Sequence, residues 1–324
     1  MVRKKITSCF AALVLGCFSM ASHAESSYPS RSVAVVVPYS PGGSSDIAAR
    51  LVASKLSEMN GQTFIVENKP GAGGNIGAAF VKREKPDGYT ILLATTGHAI
   101  NQTLFKKLNY SLINDFTPVT TLVSGALTLL VKGDSPMNNT GDLLSYIKAN
   151  PGKTSFGSAG IGSSPHLAAE IMRDNTPFDS IHIPFSGSSN DITALIGGQV
   201  TFSFETLPAS LAFIKSGKVK ALAISTAKRD PDLPDVPTMQ EQGFTGFDVA
   251  FWNGFFVPKD TPAAVSEKLN AQIKQILAMP DVVRKFKSMG VSPDWRSLAD
   301  SKDYMKGEVK KYAQVITKAK ISIE

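Results

Sequence analysis

Apolar positions along the chain alternate between two periods. Ser32 to Val37 is a β-branched run closed by Pro38, and Ser44 to Met59 then carries Ile47, Leu51, Val52 and Leu56 at helical spacing. This predicts a strand, a tight glycine-containing loop and a helix. Thr63 to Val66 predicts a second strand, Asn75 to Glu84 a helix, and Thr90 to Ala94 a third strand after the turn residues Pro86-Asp87-Gly88. Such β/α repeats favour a parallel sheet covered by helices on both faces.

The pattern restarts after Pro118. Strands are predicted near Leu127 to Val131, Thr154 to Gly157, Ile181 to Ile183, Val200 to Phe204 and Val219 to Ser225, with helices near Leu143, Leu167, Ile192 and Leu211. A proline-rich stretch from Pro231 through Pro237 follows, then the aromatic strand Asp248 to Val257 and two helices, Pro262 to Leu277 and Leu298 to Ile316. These last pieces have too few strands for a domain of their own, so they are expected to pack back on the first unit. The expected architecture is two α/β domains joined by a hinge, residues 25–123 plus 249–324 forming one and 124–248 the other. The chain would cross near Leu122 to Ser124 and near Phe244 to Phe251, with a ligand cleft between the domains.

The first 24 residues change the composition. Arg3, Lys4 and Lys5 precede an apolar stretch from Ile6 to Met20, and Ser22-His23-Ala24 offers small residues for cleavage. The run is shorter than the roughly 20 residues of a membrane span. A cleavable export signal over residues 1–24, and a periplasmic destination, are expected. Leu15-Gly16-Cys17 offers the other reading, a lipidated Cys17; the bulky Leu15 and the later Ser-His-Ala site argue against it. Both cysteines, Cys9 and Cys17, leave with the signal, which excludes disulfides, thiolate chemistry and cysteine metal sites from the remainder. The formal charge falls from +7 to +4 when Arg3, Lys4 and Lys5 are removed, and no basic patch interleaved with aromatics remains. Nucleic acid is therefore not an expected partner, and Arg284 to Lys287 read as a solvated helix face.

Four loops fall at carboxyl ends of strands, where open α/β sheets bind ligands: Tyr39 to Asp46, Thr95 to His98, Ser158 to His166 and Phe185 to Asp191. In the first, Gly42 and Gly43 permit close backbone approach, and Ser44 or Ser45 can cap the following helix. The third repeats the device, with Pro165 at a first helical position. None of the four contains Lys or Arg, so a carboxylate held there must be bound by backbone amides, hydroxyls and water.

Motifs for other chemistry are incomplete. Gly71-Ala72-Gly73-Gly74-Asn75-Ile76-Gly77 has one residue too many for a dinucleotide loop, and no Walker sequence or G-x-S-x-G elbow occurs. Ser163 with His166 is the best serine–histidine pair for an exported hydrolase, but it lacks a third member. His166 and Glu170 have the i, i+4 spacing of metal ligands without a third ligand, so no metal is expected. His98 suits either ligand contact or a local hydrogen bond. Glu205 can accept from a ligand amine or a water, or cap the helix near Leu207.

Several long motifs occur in a fixed order. They are Pro38-Tyr39-Ser40-Pro41-Gly42-Gly43-Ser44-Ser45-Asp46, then Glu67-Asn68-Lys69-Pro70-Gly71-Ala72-Gly73-Gly74-Asn75-Ile76-Gly77, then Pro86-Asp87-Gly88-Tyr89-Thr90. They continue with His98-Ala99-Ile100-Asn101, Gly162-Ser163-Ser164-Pro165-His166-Leu167, Pro184-Phe185-Ser186-Gly187 and Lys218 through Ser225. Over essentially the whole mature chain this resembles the Bug-type periplasmic solute receptors of tripartite tricarboxylate transporters. The resemblance implies a hinged binding protein of the periplasmic type II class, without catalysis or cofactor, that takes a small organic acid and delivers it to membrane permease subunits. A receptor feeding a sensor kinase would use the same fold. The resemblance places one carboxylate on the loop Tyr39, Ser40, Pro41, Gly42 and Gly43. It completes the cleft with Thr95, Thr96, His98, Ser158, Ala159, Gly160, Ser163, Phe185, Gly187 and Ser188, and Glu205 joins these candidates. Glu205 stands where the family usually has Asp, and Tyr39 where Phe is common. A monomer is expected.

Overall fold

The computed structural model describes residues 28–318 and residue 321. The expected export signal, with Cys17, lies outside the described residues. The chain opens with β1 (Val33–Val37), α1 (Ser44–Asn60), β2 (Phe64–Asn68), α2 (Asn75–Lys82), β3 (Thr90–Thr95) and α3 (Thr96–Leu104). Strand β1 lies parallel between β2 and β3. Its valines 33, 35, 36 and 37 are fully buried. Burial on both faces is why the strand reads as a continuous β-branched run, and each such side chain contributes roughly 1.5–3 kcal/mol.

Strand β4 (Phe116–Lys132) is far longer than its sequence suggests. Its first part pairs antiparallel with β9 (Ala250–Pro258), from Phe116 opposite Pro258 to Ala126 opposite Ala250. From Leu127 onward it pairs antiparallel with β7 (Phe202–Thr206) and β8 (Val219–Ile224). The strand therefore does not restart after Pro118 but runs through it. The register shifts between Pro118 and Thr120, a bulge that tolerates the missing proline N–H.

Beyond β7 lie β5 (Ser155–Ser158) and β6 (Ile181–Pro184), both parallel to their neighbours. Strands β1, β2 and β3 are parallel, as their β/α repeats predict, whereas β9 runs antiparallel to β3 and to β4, so the sheet as a whole is mixed. One curled sheet in the order β2-β1-β3-β9-β4-β7-β5-β6 serves two α/β units, and β4 contributes to both.

The second unit's helices are α4 (Thr140–Ala149), α5 (Ser164–Asn175), α6 (Ser188–Ile196) and α7 (Leu207–Lys215). The last helices, α8 (Ala263–Leu277), α9 (Pro280–Ser288) and α10 (Leu298–Lys318), return to the first unit, where α8 packs on α1 and α10 on α3. Asn60 and Gln272 exchange side-chain hydrogen bonds between α1 and α8. Trp252 Nε1 donates to Glu308 Oε2 at 2.9 Å, fastening α10 to β9. Helix α9 exposes Arg284, Lys285 and Lys287 and buries Val282 and Phe286, as an amphipathic surface helix should.

Candidate functional site

Five helices begin at one cleft. Its walls are Gly43, Ser44 and Ser45 at α1, Thr95 and Thr96 at α3, Ser163, Ser164 and Pro165 at α5, Gly187 and Ser188 at α6, and Thr206 before α7. Tyr39, Ser40 and Ala159 complete the walls, and Phe251, Trp252 and Asn253 of β9 form the floor. No lining residue is charged. The partial positive charge of the helix N-termini is therefore the field that a ligand meets.

The loop after β1 is held from behind. Asn68 Nδ2 donates to the Tyr39 carbonyl and to Asp46 Oδ1, each at 2.9 Å, while Asp46 Oδ2 accepts the Gly42 N–H at 3.0 Å and Arg50 Nε–H at 2.9 Å. Burial alone would raise the Asp46 carboxyl, but hydrogen bonds from Arg50, Gly42 and Asn68 outweigh it and hold the group below its usual value. The expected serine caps are corrected here. The N-cap of α1 is Gly43, and the neighbouring hydroxyls face the cleft: Ser44 Oγ lies 3.0 Å from Thr206 Oγ1, and Ser45 Oγ donates to Asn253 Oδ1 at 3.3 Å. Asn253 Nδ2 is buried without an acceptor. Gly43 has an ordinary extended backbone, whereas Gly42 has φ +83°, which favours glycine.

At α3, His98 Nδ1 accepts the Thr95 N–H at 3.0 Å, and the Tyr39 hydroxyl lies 3.2 Å from Thr95 Oγ1. This is the local role for His98. Its acceptor Nδ1 leaves the proton on Nε2, and burial pushes the ring down to about 4, so it is neutral near pH 7. At α5, Ser163 Oγ accepts the His166 N–H as an N-cap, and Pro165 falls one position later than expected. His166 Nδ1 accepts from Gly162 N–H at 3.2 Å, and its ring stacks on His182 at 4.1 Å. Glu170 is held by Arg173 through two hydrogen bonds. Nothing in this arrangement draws a proton from the Ser163 hydroxyl.

The two sides of the cleft touch. Ser40 N–H donates to the Ser186 carbonyl at 3.2 Å, the Ser44–Thr206 bond crosses the cleft, and Gly73 packs against the Ile161 carbonyl. A side recess shares Tyr39 and Ala159 with the main pocket and is otherwise lined by residues 71–74, Gly160, Ile161 and residues 184–186.

Of the residues singled out from sequence, Tyr39, Ser40, Gly43, Thr95, Thr96, Ala159, Ser163, Gly187 and Ser188 line the pocket, and Gly160 and Phe185 line the recess. Pro41 and Gly42 sit exposed at the rim. His98, Ser158 and Glu205 lie behind the walls, and Ser158 Oγ lies 2.7 Å from His182 Nε2. Glu205 is fully buried near Asp191, with Oε2 accepting the Thr206 N–H at 3.2 Å. The sequence reading missed the floor residues Phe251, Trp252 and Asn253, which no local motif marks. Residues 71–74, which the sequence marks as an incomplete dinucleotide loop and as part of the family motif but not as cleft residues, also line the recess.

A profile described as "Tripartite tricarboxylate transporter family receptor" matches residues 48–321. The chain belongs to this family. Among solved structures, the periplasmic binding protein BugD is 36% identical, covering 91% of this chain and 99% of its own, with a TM-score of 0.88. Rpa4515 of R. palustris, solved with adipate, is 33% identical over 91% of this chain and 99% of its own, with a TM-score of 0.88. MatC (Rpa3494) of Rhodopseudomonas palustris, solved with bound malate, is 32% identical over 89% of this chain and 100% of its own, with a TM-score of 0.86. The family's receptors are solute-binding proteins of two-domain α/β fold, and the described chain shares that fold.

Proposed function

We propose that the mature chain is a periplasmic solute-binding protein that captures a small organic carboxylate between its two lobes and delivers it to the membrane subunits of a tripartite tricarboxylate-type transporter. The observation that carries this reading is the convergence of five helix N-termini on a cleft without a charged side chain. Such a site binds an anion through backbone N–H groups and hydroxyls. The unpartnered Nδ2 of Asn253 supplies one further donor on the floor. The adipate and malate held by two related proteins are dicarboxylates, which agrees with a site of this chemistry. In this reading residues 25–123 plus 249–324 form one domain and 124–248 the other, and the paired strands β4 and β9 are the hinge. Ligand leaves chemically unchanged, since His166 is turned to Gly162 rather than to Ser163.

The test is a thermal-shift titration of residues 25–324 against mono-, di- and tricarboxylates, amino acids and aromatic acids. A ligand at 100 times its Kd adds about 2.7 kcal/mol when it binds only the folded state. The expected result is a saturable shift for one class of acid, with the compound recovered intact. Shifts confined to uncharged or cationic compounds, or a product formed from the acid, would refute the reading.

A further inference from the structure

Two buried carboxyl groups stand behind the wall formed by α6 and α7, and neither forms an ion pair among the described residues. Asp191 and Glu205 are both fully buried. Asp191 Oδ1 accepts the Ser203 hydroxyl at 3.0 Å and Glu205 Oε2 accepts the Thr206 N–H at 3.2 Å, while Asp191 Oδ2 and Glu205 Oε1 have no donor. The two side chains are hydrogen-bonding neighbours. Ionised together, they would be an uncompensated buried charge pair. A single proton between Oδ2 and Oε1 satisfies both orphan oxygens and removes one of the two charges.

Besides the Thr206 N–H, the Ser188 side chain bonds Glu205 and favours its ionised form, but burial and the charge of Asp191 outweigh both. Beneath the pair, Gly157 of β5 makes room for Asp191, since a Cβ there would fall 1.7 Å from Oδ1. Helix α5 carries His166, Glu170 and Arg173, which are engaged with Gly162, with each other and with the Ser180 carbonyl. Lys215 lies in the last turn of α7, and Lys132 at the far end of β4 pairs with Asp134. Lys220 of β8 is bonded to Ser135, Met137 and Asn138. From the first lobe the ionisable group near Glu205 is Tyr39, whose phenol burial also keeps neutral. Burial is the larger cause that pushes Asp191 up to about 6 and Glu205 well above its usual value, and the charge of Asp191 adds to the rise at Glu205.

We propose that Asp191 and Glu205 share one proton and that this proton is required for tight binding of an anionic ligand, an inference resting on the carboxylate reading of the cleft. Glu205 directly precedes Thr206, whose hydroxyl meets Ser44 across the cleft, and Asp191 lies in the first turn of α6 behind Ser188. Loss of the proton places a second negative charge one residue from the ligand's wall and breaks the contact that fixes both lining residues. Glu205 and Asp191 are thus positioning residues. Because the protonated pair favours the anion, bound anion in turn favours protonation. Affinity falls as pH rises through the pair's upper apparent pKa, by up to about tenfold per pH unit.

Two readouts on the mature chain test this. Infrared difference spectra near pH 7, without ligand, should show the carbonyl stretch of a protonated carboxylic acid, absent from Glu205→Gln and shifted in frequency in Asp191→Asn, where burial still holds Glu205 up. Calorimetric titrations with malate and with adipate from about pH 6 to about pH 10, where both acids are doubly ionised, should show Kd rising at least tenfold in the wild type. In Glu205→Gln, whose amide donates to Asp191 at every pH, Kd should vary less than about twofold. No protonated-acid band in the wild type, or parallel pH profiles in wild type and Glu205→Gln, would overturn the proposal. Failure of both acids to bind at any pH would overturn the carboxylate reading and the coupling built on it, while the infrared band would still decide whether the pair is protonated.

Discussion

At Gly73 the cleft leaves no room for a methyl group. A Cβ there would fall 1.9 Å from the Ile161 carbonyl across the cleft, and the residue has φ +62°. The backbone term costs about 1 kcal/mol in any state, but on the hinged reading proposed above the clash exists only when the two sides of the cleft meet. Gly73→Ala should therefore weaken carboxylate binding at least about a hundredfold by calorimetry, with the ligand-free melting temperature lowered by only a few degrees. Wild-type affinity in this variant would show that ligand binds without the observed contact. Gly157 is the contrast, because its missing side chain houses Asp191 within one lobe and its replacement should cost stability first.

Among the elements, the short caps divide structural from ligand roles. Ser163 and Asn139 each cap a helix through a side-chain oxygen, Ser163 at α5 in the cleft and Asn139 at α4 away from it. Either cap replaced by alanine should cost about 1 kcal/mol in chemical denaturation. Only Ser163→Ala should also raise Kd, by about tenfold, and neither should alter any release of product from ester substrates. Loss of a measurable turnover in Ser163→Ala would revive the hydrolase alternative.

The elements were largely legible because they rest on local pattern: the buried valine run of β1, the glycine turn, the periodicity of α1, and Pro-Asp-Gly before β3. What escaped was set by partners distant in sequence. Pro118 looked like a boundary and is absorbed by a bulge against β9. Ser44 and Ser45 looked like caps, yet cross-cleft hydroxyl and amide partners hold them. Phe251 to Asn253 became the floor because β9 is wedged between β3 and β4, a pairing that no local window contains. Asp191 reads as the end of a loop, and nothing in its neighbourhood of sequence announces Glu205.

For the molecule as a whole, the histidines set an acid limit. Burial is the first cause that lowers His98 to about 4, His166 to about 3 and His182 to about 4, with the charges of His182 and Arg173 adding at His166. Each is neutral when folded and binds a proton more readily when unfolded. Their stability contribution is fully present above about pH 6.5 and is lost as pH falls toward about 3–4, by up to about 1.4 kcal/mol per group per pH unit. Melting temperature measured from pH 7 down to pH 4 should fall steadily, and His182→Gln should flatten the curve. A flat wild-type profile would contradict the burial of these rings as neutral groups.

The wedged position of β9 also fixes the order in which the polypeptide can become native as it emerges from its amino end. Strands β1, β2 and β3 come first, but β3 exposes an edge that only β9, more than 150 residues later, can pair. All of β5 to β8 and the second part of β4 arrive before β9, so the later-starting lobe can finish first. During that interval the hydrophobic edge Ile91 to Ala94 is an open template for wrong pairing. For a chain that emerges from its amino end, that edge stays unpaired from the appearance of β3 until the appearance of β9.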